Sequence, residues 1–420
     1  MKHDVISDRM KWFRNARFGM FIHFGLYSIL GGYYKCKKNP SPLSEWIMKN
    51  MKIPLCEYKK LMQQFNPQDW NAEEIVKLCV NSGMKYLCVT AKHHDGFAMY
   101  DSKVSSYNIM NTPFHRDIVK ELEEQCRKYG IVFCVYYSQM QDWAEKDGYG
   151  NTWDFNPDNQ NFERYYYQKV RKQVTELLSN YGNIGMIWFD TPYSMPKNLC
   201  EDLKQTVRRI QPKCLISGRI GYDLGDFSEA GDNCMPARAW KRDWELPMTI
   251  NDTWGYDSKD RNWKTSDKII ESLIKAVGRG GNLLLNIGPD ENGKVPIESK
   301  KVLGEIGQWM LFYGDSIYET HCVPDFPYEL KWGCFTMKKK HLYMHIHKYA
   351  ENSGKIVVYG FLSQIKQIRN MRTGELVKYE NFYDKARNER RLIIYTPNVL
   401  DENAVMDIEI CGELQVDVLN

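Results

Sequence analysis

Over its first three hundred residues the chain alternates short, almost wholly apolar segments with amphipathic ones. The apolar segments, which we interpret as strands, are 18–25, 86–92, 131–138, 185–190, 215–219 and 282–288. Strands that are apolar on both faces are typical of a parallel sheet covered on both sides. Helices are predicted at 117–129, 159–181, 197–210, 266–277 and 298–313. Alternation over this length predicts an α/β fold, and it favours a (β/α)8-type barrel over an open sheet.

The pattern changes near residue 316. From there to the end the chain consists of short alternating runs, which are FTMKK, HLYMHIH, KIVVYGF, LVKYE, RRLIIYT and AVMDIEI. Turn-forming Asn, Gly and Asp separate these runs, which is typical of antiparallel strands. We therefore predict two domains, a barrel over residues 1–316 and a C-terminal antiparallel β-sandwich over residues 317–420.

Composition excludes several classes of partner. With 57 Lys and Arg against 53 Asp and Glu, the net charge of +4 is too balanced for a nucleic-acid binder. No stretch approaches 18 apolar residues, so no membrane span is expected. The N-terminal MKHDVISDRMKW has no apolar core for a secretion signal, and cysteines such as Cys88 and Cys134 lie in apolar runs. We expect a cytoplasmic protein with reduced thiols.

Polar side chains stand where four of the predicted strands end. These ends are His23, the segment Lys92-His93-His94-Asp95-Gly96, the segment Tyr136-Tyr137-Ser138, and Asp190. In a barrel the loops after the strand ends converge on one mouth, so these groups should lie together. Polar groups near a core are costly unless they bond each other or a ligand, and sugar hydroxyls both donate and accept. Twelve tryptophans and 27 tyrosines could supply the apolar platforms of a sugar site.

The sequence indicates neither a metal ion nor a nucleotide cofactor. His93 and His94 are adjacent, and neighbouring residues of a strand point to opposite faces, so at most one should face a given ion. Neither an HExxH motif nor a CxxC pair is present. The segment GRGGNLLLNIGP lacks the GK[ST] of a phosphate loop and precedes a strand instead of a helix.

Asp190 is the strongest candidate for a catalytic group. It ends an apolar run, and Pro192 and Pro196 follow before a helix can begin, which disfavours a helix-capping role. A site that hydrolyses glycosides needs a second carboxyl group facing the first. The candidates downstream are Glu229, Asp232 and Glu245.

Seven motifs, in order along three-quarters of the chain, resemble glycoside hydrolase family 29, the α-L-fucosidases. They are WFRNARFGMFIHFGLYS (12–28), SEW (44–46), KHHDGFAMYDS (92–102), VYYS (135–138), WFD (188–190), WELPMTINDTWGY (244–256) and GRGGNLLLNIGPDENG (278–293). The resemblance implies a distorted (β/α)8 barrel followed by a β-sandwich, in agreement with the hydrophobic pattern. It also implies a retaining exo-α-L-fucosidase without a cofactor, whose substrate is a fucosylated oligosaccharide or glycoconjugate.

The resemblance assigns roles to individual residues. Asp190 takes the place of the family's nucleophilic aspartate, although Thr191 replaces the glycine often found next. Residues on motifs that line the fucose pocket are His23, Glu45, Trp46, His93, His94, Tyr137, Trp188, Arg219 and Trp254. Trp46 and Trp254 would contact the C6 methyl group and the sugar face. Arg219 and the histidines would donate to hydroxyls and the ring oxygen.

The acid/base residue lies in a loop that varies within the family. Many members carry TPE after GDF, whereas here GDF is followed by SEAGDNCMP. Counting back from Pro236 places Asp232 at the position of that glutamate, with Glu245 and Glu229 as alternatives.

The resemblance implies a double displacement. Asp190 would attack the anomeric carbon, and Asp232 would protonate the leaving oxygen and later activate water. Two alternatives stay open at this point, together with the oligomeric state. One is a barrel that binds fucose without turnover, and the other is a glycosidase for a different sugar.

Overall fold

The computed structural model describes residues 2–323, 326, 330–347, 354–396 and 400–417. Its first sheet has eight strands, which are β1 Phe18–Ile22, β2 Tyr86–Lys92, β3 Val132–Ser138, β4 Met186–Asp190, β5 Leu215–Ile216, β6 Ser228–Glu229, β7 Trp244–Thr249 and β8 Asn282–Ile287. Their order is β5-β4-β3-β2-β1-β8-β7-β6, and every pairing is parallel. This is the cyclic order of a curled barrel, so the predicted (β/α)8-type fold is confirmed.

Helices surround the sheet. The longer ones are α1 Lys2–Ala16, α2 Ala72–Asn81, α3 Ile118–Tyr129, α4 Arg171–Asn180, α5 Lys197–Ile210, α6 Ser266–Gly278 and α7 Ile297–Tyr313. Four-residue helices lie at Tyr27–Leu30, Ile47–Asn50, Leu55–Tyr58 and Phe162–Tyr165. The sequence pattern did not predict α1 and α2, and a π-helical turn at Tyr166–Val170 interrupts the helix predicted at 159–181. Among the described helices, none has the length and apolar character needed to cross a membrane.

Local chemistry sets the helix ends, as α3 illustrates. The Asp117 side chain accepts a hydrogen bond from the Lys120 amide at 2.9 Å, which caps the first turn. Gly130 ends the helix with a φ of +69°, a left-handed conformation that glycine adopts without a steric penalty. The helix therefore ends at Tyr129, the residue at which the helix predicted at 117–129 also ends.

The sequence pattern did not predict two of the eight barrel strands, β6 and β7. β6 has only two residues, and β7 carries Glu245 and Pro247 within a wholly buried strand. The two ends of the strand order, β5 and β6, are connected by a loop, and the Asp226 amide just before β6 donates to the Ile216 carbonyl of β5 at 2.8 Å. A two-residue strand and a strand interrupted by a glutamate and a proline do not produce a clean apolar run, so hydrophobic pattern alone cannot find them.

Alternate residues of each barrel strand face two different apolar layers. In β3, Cys134 and Tyr136 face the barrel interior, where they pack with Trp188. Val135 and Tyr137 face outward into the larger core between sheet and helices. This period of two decides which strand residues reach the mouth of the barrel.

Apart from a two-stranded hairpin at Tyr33–Tyr34 and Lys37–Lys38, the remaining described strands form two antiparallel sheets. They are β9 His321–Cys322, β10 Gly333–Lys338, β11 His341–Ile346, β12 Lys355–Tyr359, β13 Ile365–Asn370, β14 Tyr379–Asp384, β15 Glu389–Tyr395 and β16 Ala404–Ile410. The orders are β9-β10-β11-β16-β13 and β12-β15-β14. A shared core joins the sheets, with Leu342 and Met344 from one and Ile356 and Val358 from the other, which confirms the sandwich.

The domain boundary predicted at residue 316 falls after the turn Gly314–Ser316, which follows α7 and precedes β9. The sequence pattern did not predict β13, and the run LVKYE (376–380) overlaps only the start of β14.

Hydrogen bonds hold the sandwich to the barrel, including one from the Trp309 indole to the Asn403 carbonyl at 2.9 Å.

Candidate active site

Asp190 is the last residue of β4, and its carboxylate lies at the centre of a hydrogen-bond cluster at the mouth of the barrel. Oδ1 accepts from Arg219 Nη1 and from the Thr191 amide, both at 2.9 Å. Oδ2 accepts from the Tyr136 hydroxyl at 2.9 Å and lies 3.5 Å from Nε2 of His94. Both oxygens are thus held by donors from neighbouring strand ends, which fixes the orientation of the carboxylate.

Asp190 is kept ionised although it is only 8% exposed. Burial alone would raise its pKa, but the charge of Arg219 and the hydrogen bonds from Arg219 and Tyr136 outweigh burial. The pKa of the Asp190 carboxyl group therefore lies below its ordinary value. An ionised carboxylate in a buried, oriented position is chemically suited to nucleophilic attack.

Arg219 joins Asp190 to Asp232. It lies in the turn Gly218–Ile220 directly after β5, and its second terminal nitrogen, Nη2, donates to Oδ1 of Asp232. The Asp232 side chain is 46% exposed and stands in the loop between β6 and β7. One guanidinium therefore brings together the two carboxyl groups that the sequence singled out as a pair.

The structure places the two alternative acids below the mouth. Glu245 is completely buried in β7, and its oxygens accept from the Tyr86 hydroxyl at 2.6 Å and the Trp188 indole at 3.0 Å. Glu229 in β6 accepts from the Gly218 amide at 2.8 Å. Burial raises the pKa of Glu245 to about 7 and that of Glu229 to about 8. These contacts support the floor of the site and leave Asp232 as the carboxyl group on its open side.

Tyr137 lies outside the cluster, contrary to the sequence prediction. Its hydroxyl donates to Oε1 of Gln173 at 2.8 Å, in the layer between the sheet and the helices. The site tyrosine is Tyr136, because side chains alternate along β3 and Tyr136 shares the inner face with Cys134.

His93 and His94 both face the site, which corrects the expectation that they would point to opposite faces. β2 ends at Lys92, so the alternation of a strand no longer applies to them. The His93 ring stacks on Tyr136 with a centroid separation of 5.4 Å, and the Nδ1 of His94 lies 2.7 Å from the Ser138 hydroxyl. Within the described residues, no cluster of His, Cys, Asp or Glu is arranged to hold a metal ion.

Burial favours the neutral form of the three histidines of the site, His23, His93 and His94. Burial lowers the pKa of His23 to about 4 and that of His94 to about 3, and it lowers the pKa of His93 well below its ordinary value. His93 Nδ1 is buried and has no hydrogen-bond partner among the described residues. A neutral imidazole can donate at one nitrogen and accept at the other, which suits a hydroxyl-rich ligand.

His23 and Trp254 are held together by Asn286. The Nδ1 of His23 lies 2.7 Å from Oδ1 of Asn286, whose amide nitrogen donates to the Trp254 carbonyl at 2.7 Å. The rings of His23 and Trp254 have a centroid separation of 5.2 Å. Asn286 was not among the predicted site residues, although it lies in the glycine-rich motif that ends the barrel.

Glu45 and Trp46 reach the site from the turn Ser44–Trp46. Oε2 of Glu45 accepts from the Gly255 amide at 3.0 Å, whereas its buried Oε1 has no partner among the described residues. Burial raises the pKa of Glu45 to about 7. The rings of Trp46 and His94 form an edge-to-face contact with a centroid separation of 4.9 Å.

Trp188 forms the floor beneath the two catalytic candidates. It is 2% exposed and stacks on Tyr136 with an interplanar angle of 20°. The Arg219 guanidinium carbon lies 4.9 Å from the Trp188 ring centroid. Trp188 therefore contacts both side chains that donate to Asp190, which are Tyr136 and Arg219, and its own indole donates to Glu245.

Comparison with known proteins identifies the family. Residues 2–315 match the family model for α-L-fucosidase. The human plasma α-L-fucosidase is 28% identical over 338 residues, covering 74% of this chain and 69% of the human protein.

Solved structures of fucosidases match the fold. The α-L-fucosidase of Vibrio sp. strain EJY3 gives a TM-score of 0.93 at 33% identity, covering 98% of this chain and 74% of that one. Isoenzyme 1 of Paenibacillus thiaminolyticus gives a TM-score of 0.88 at 31% identity, covering 97% of this chain and 100% of that one. The Lactobacillus casei α-L-fucosidase in complex with α-L-fucose gives a TM-score of 0.68 at 41% identity, and the match covers 71% of this chain and 98% of that one. The chain belongs to the α-L-fucosidase family, glycoside hydrolase family 29.

Proposed function

We propose that this chain removes terminal α-L-fucose from fucosylated glycans with net retention, using Asp190 as nucleophile and Asp232 as acid/base. The observation that supports the assignment is the guanidinium of Arg219, which donates to the carboxyl groups of both Asp190 and Asp232. Retaining glycosidases use carboxyl groups about 5–5.5 Å apart, whereas inverting enzymes leave room for a water molecule between them.

In the first step the carboxylate of Asp190 attacks the anomeric carbon and forms a covalent fucosyl ester. The hydrogen bonds from Tyr136 and Arg219 hold the attacking carboxylate in place. Asp232 gives its proton to the departing glycosidic oxygen, so the leaving sugar departs as a neutral alcohol. In the second step Asp232 takes a proton from water, which attacks the same carbon and releases α-L-fucose and free Asp190.

The lining of the site fits a deoxy-sugar. The unpartnered Nδ1 of His93 and Oε1 of Glu45 are buried polar atoms that a sugar hydroxyl would satisfy. Trp46 and Trp254 supply aromatic surface, which suits the C6 methyl group of fucose. This combination of neutral donors, acceptors and rings supports fucose in preference to a charged sugar.

The test is hydrolysis of 4-nitrophenyl α-L-fucoside followed by proton NMR. We expect turnover in which α-L-fucose is the first anomer to appear, because two inversions at the anomeric carbon give retention. The matching α- and β-D-galactosides serve as controls and should be poor substrates. β-L-Fucose as the first product, or hydrolysis of a galactoside in preference to the fucoside, would contradict the proposal.

A further inference from the structure

Three neighbouring loops at the mouth each expose one tyrosine. Tyr149 follows β3, Tyr193 follows β4 and Tyr222 follows β5, and they are 40%, 57% and 52% exposed. Isolated exposed rings are ordinary, but rings that cluster on adjacent loops around a reactive group are a sign of a binding surface. We call these three residues the tyrosine arc.

The members of the tyrosine arc are linked to each other. The rings of Tyr149 and Tyr193 have a centroid separation of 5.6 Å and an interplanar angle of 50°. The Tyr222 hydroxyl donates to the Met195 carbonyl at 2.9 Å, which ties the loop after β5 to the loop that carries Tyr193. The arc is therefore one connected surface contributed by three loops.

The backbone of these loops is strained. Thr191 and Tyr193 have φ values of +48° and +32°, and Tyr222 and Asp223 have +52° and +59°. Residues other than glycine adopt this region at an energetic cost, and such residues concentrate at functional sites. The hydroxyl of Thr191 accepts a hydrogen bond from the Gln141 side chain at 3.1 Å, which helps to hold the first of these turns.

The tyrosine arc borders the catalytic pair. Tyr193 stands three residues after Asp190, and Tyr222 stands three residues after Arg219, which contacts both Asp190 and Asp232. Asp223, next to Tyr222, pairs with Arg242 at the far end of the Asp232 loop. The arc and the Asp232 loop are thus neighbours at the open side of the site, where the leaving group must depart.

We propose that the tyrosine arc binds the sugar to which fucose is attached. This inference rests on the proposed function, and it adds the surface that holds the leaving sugar, a pyranose residue of the glycan. The C–H face of a pyranose packs on an exposed aromatic ring, and its hydroxyl groups bond to phenol hydroxyls. Tyr193, the most exposed ring of the three, makes the main contact.

The experiment compares a substrate that has a leaving sugar with one that has none. We would measure kcat/KM for a fucosyl-N-acetylglucosamine disaccharide and for α-L-fucosyl fluoride with wild type and Tyr193→Ala. The expected result is a fall of about tenfold in the ratio of the disaccharide value to the fluoride value, the factor that a single stacking contact represents. Tyr193→Phe keeps the ring and should restore most of the ratio.

Tyr359→Ala is the matched control, because this tyrosine is 54% exposed but lies in β12 of the sandwich. It should keep the wild-type ratio. Binding of the disaccharide and of L-fucose to the Asp190→Asn chain, with and without Tyr193→Ala, provides a second measurement that does not require turnover. We expect Tyr193→Ala to weaken binding of the disaccharide more than it weakens binding of L-fucose.

The outcomes separate the two proposals. A Tyr193→Ala chain with the wild-type ratio of kcat/KM and the wild-type ratio of binding constants would overturn the role of the tyrosine arc. Absence of hydrolysis of both substrates by wild type would instead overturn the proposed function, and the binding measurement would still decide whether the arc holds the second sugar.

Discussion

The guanidinium of Arg219 donates a hydrogen bond to the carboxylate of Asp190 at 2.9 Å, in a site where the aspartate is almost completely buried. Burial by itself favours the neutral acid, so the ionised nucleophile depends on this neighbouring cation. The same guanidinium also reaches Asp232. Arg219 therefore links the ionisation of one carboxyl group to the position of the other.

Replacing Arg219 with alanine should move the acidic limb of the pH profile of kcat/KM to higher pH. The pKa of Asp190 lies below its ordinary value in wild type, and burial without the cation would raise it. Since the reaction needs ionised Asp190, the acidic limb should move to higher pH, together with a loss of rate. Arg209→Ala, an exposed arginine of α5, is the control. An acidic limb that stays in place would show that Arg219 does not set the ionisation of Asp190.

Tyr136→Phe and Tyr137→Phe form a matched pair of adjacent substitutions. Removing the Tyr136 hydroxyl deletes a hydrogen bond to the Asp190 carboxylate, so kcat/KM should fall by about 10- to 100-fold. Removing the Tyr137 hydroxyl leaves the buried Gln173 oxygen without its donor, so stability should fall by about 1 kcal/mol while kcat/KM stays near wild type. Steady-state kinetics and urea unfolding of both variants check this assignment, and the reverse pattern would refute it.

Glu245 should make the protein less stable as the pH rises. Its pKa is raised to about 7 by burial, so between about pH 4.5 and 7 the folded chain binds a proton that the unfolded chain has released. This contribution to the unfolding free energy is complete below the unfolded pKa and is lost as the pH passes 7, by up to about 3 kcal/mol.

Glu245→Gln tests this dependence. A neutral amide can accept from the Trp188 indole and donate to the Tyr86 hydroxyl, so the fold is kept while the titration is removed. The difference in unfolding free energy between pH 5 and pH 8 should be smaller than in wild type. It should not vanish, because burial also raises the pKa of Glu45 and of Glu229. Glu163→Gln, at an exposed position, is the control, and equal pH dependence in wild type and Glu245→Gln would contradict the argument.

The sequence was sufficient for the parts of the site that end long apolar strands. Asp190 and His23 stand at such ends, and a parallel barrel has to bring them to one mouth. Strands β6 and β7 were missed because neither forms a clean apolar run. β6 has only two residues, and β7 contains a glutamate and a proline. The sequence nevertheless singled out Glu229 and Glu245 in these strands as candidate acids, because a glycosidase needs a second carboxyl group.

Choosing Tyr136 over Tyr137 required knowledge of which face of β3 is inside. Both faces of that strand are buried, so hydrophobic pattern does not distinguish them. The contact between Arg219 and Asp232 was likewise beyond the sequence, because it joins a turn to a variable loop across the barrel mouth. The error over His93 and His94 came from extending strand alternation to two residues that follow Lys92, where β2 ends.

The most direct measurement of the central claim is azide rescue of Asp190→Gly with 4-nitrophenyl α-L-fucoside, with the product anomer read by NMR. The substitution removes the nucleophile and leaves space for azide, which would attack from the vacated side while the good leaving group departs unaided. We predict a nearly inactive variant whose rate is restored by azide with β-L-fucosyl azide as product. Full activity without azide, or formation of the α-azide, would contradict the assignment of Asp190 as the nucleophile.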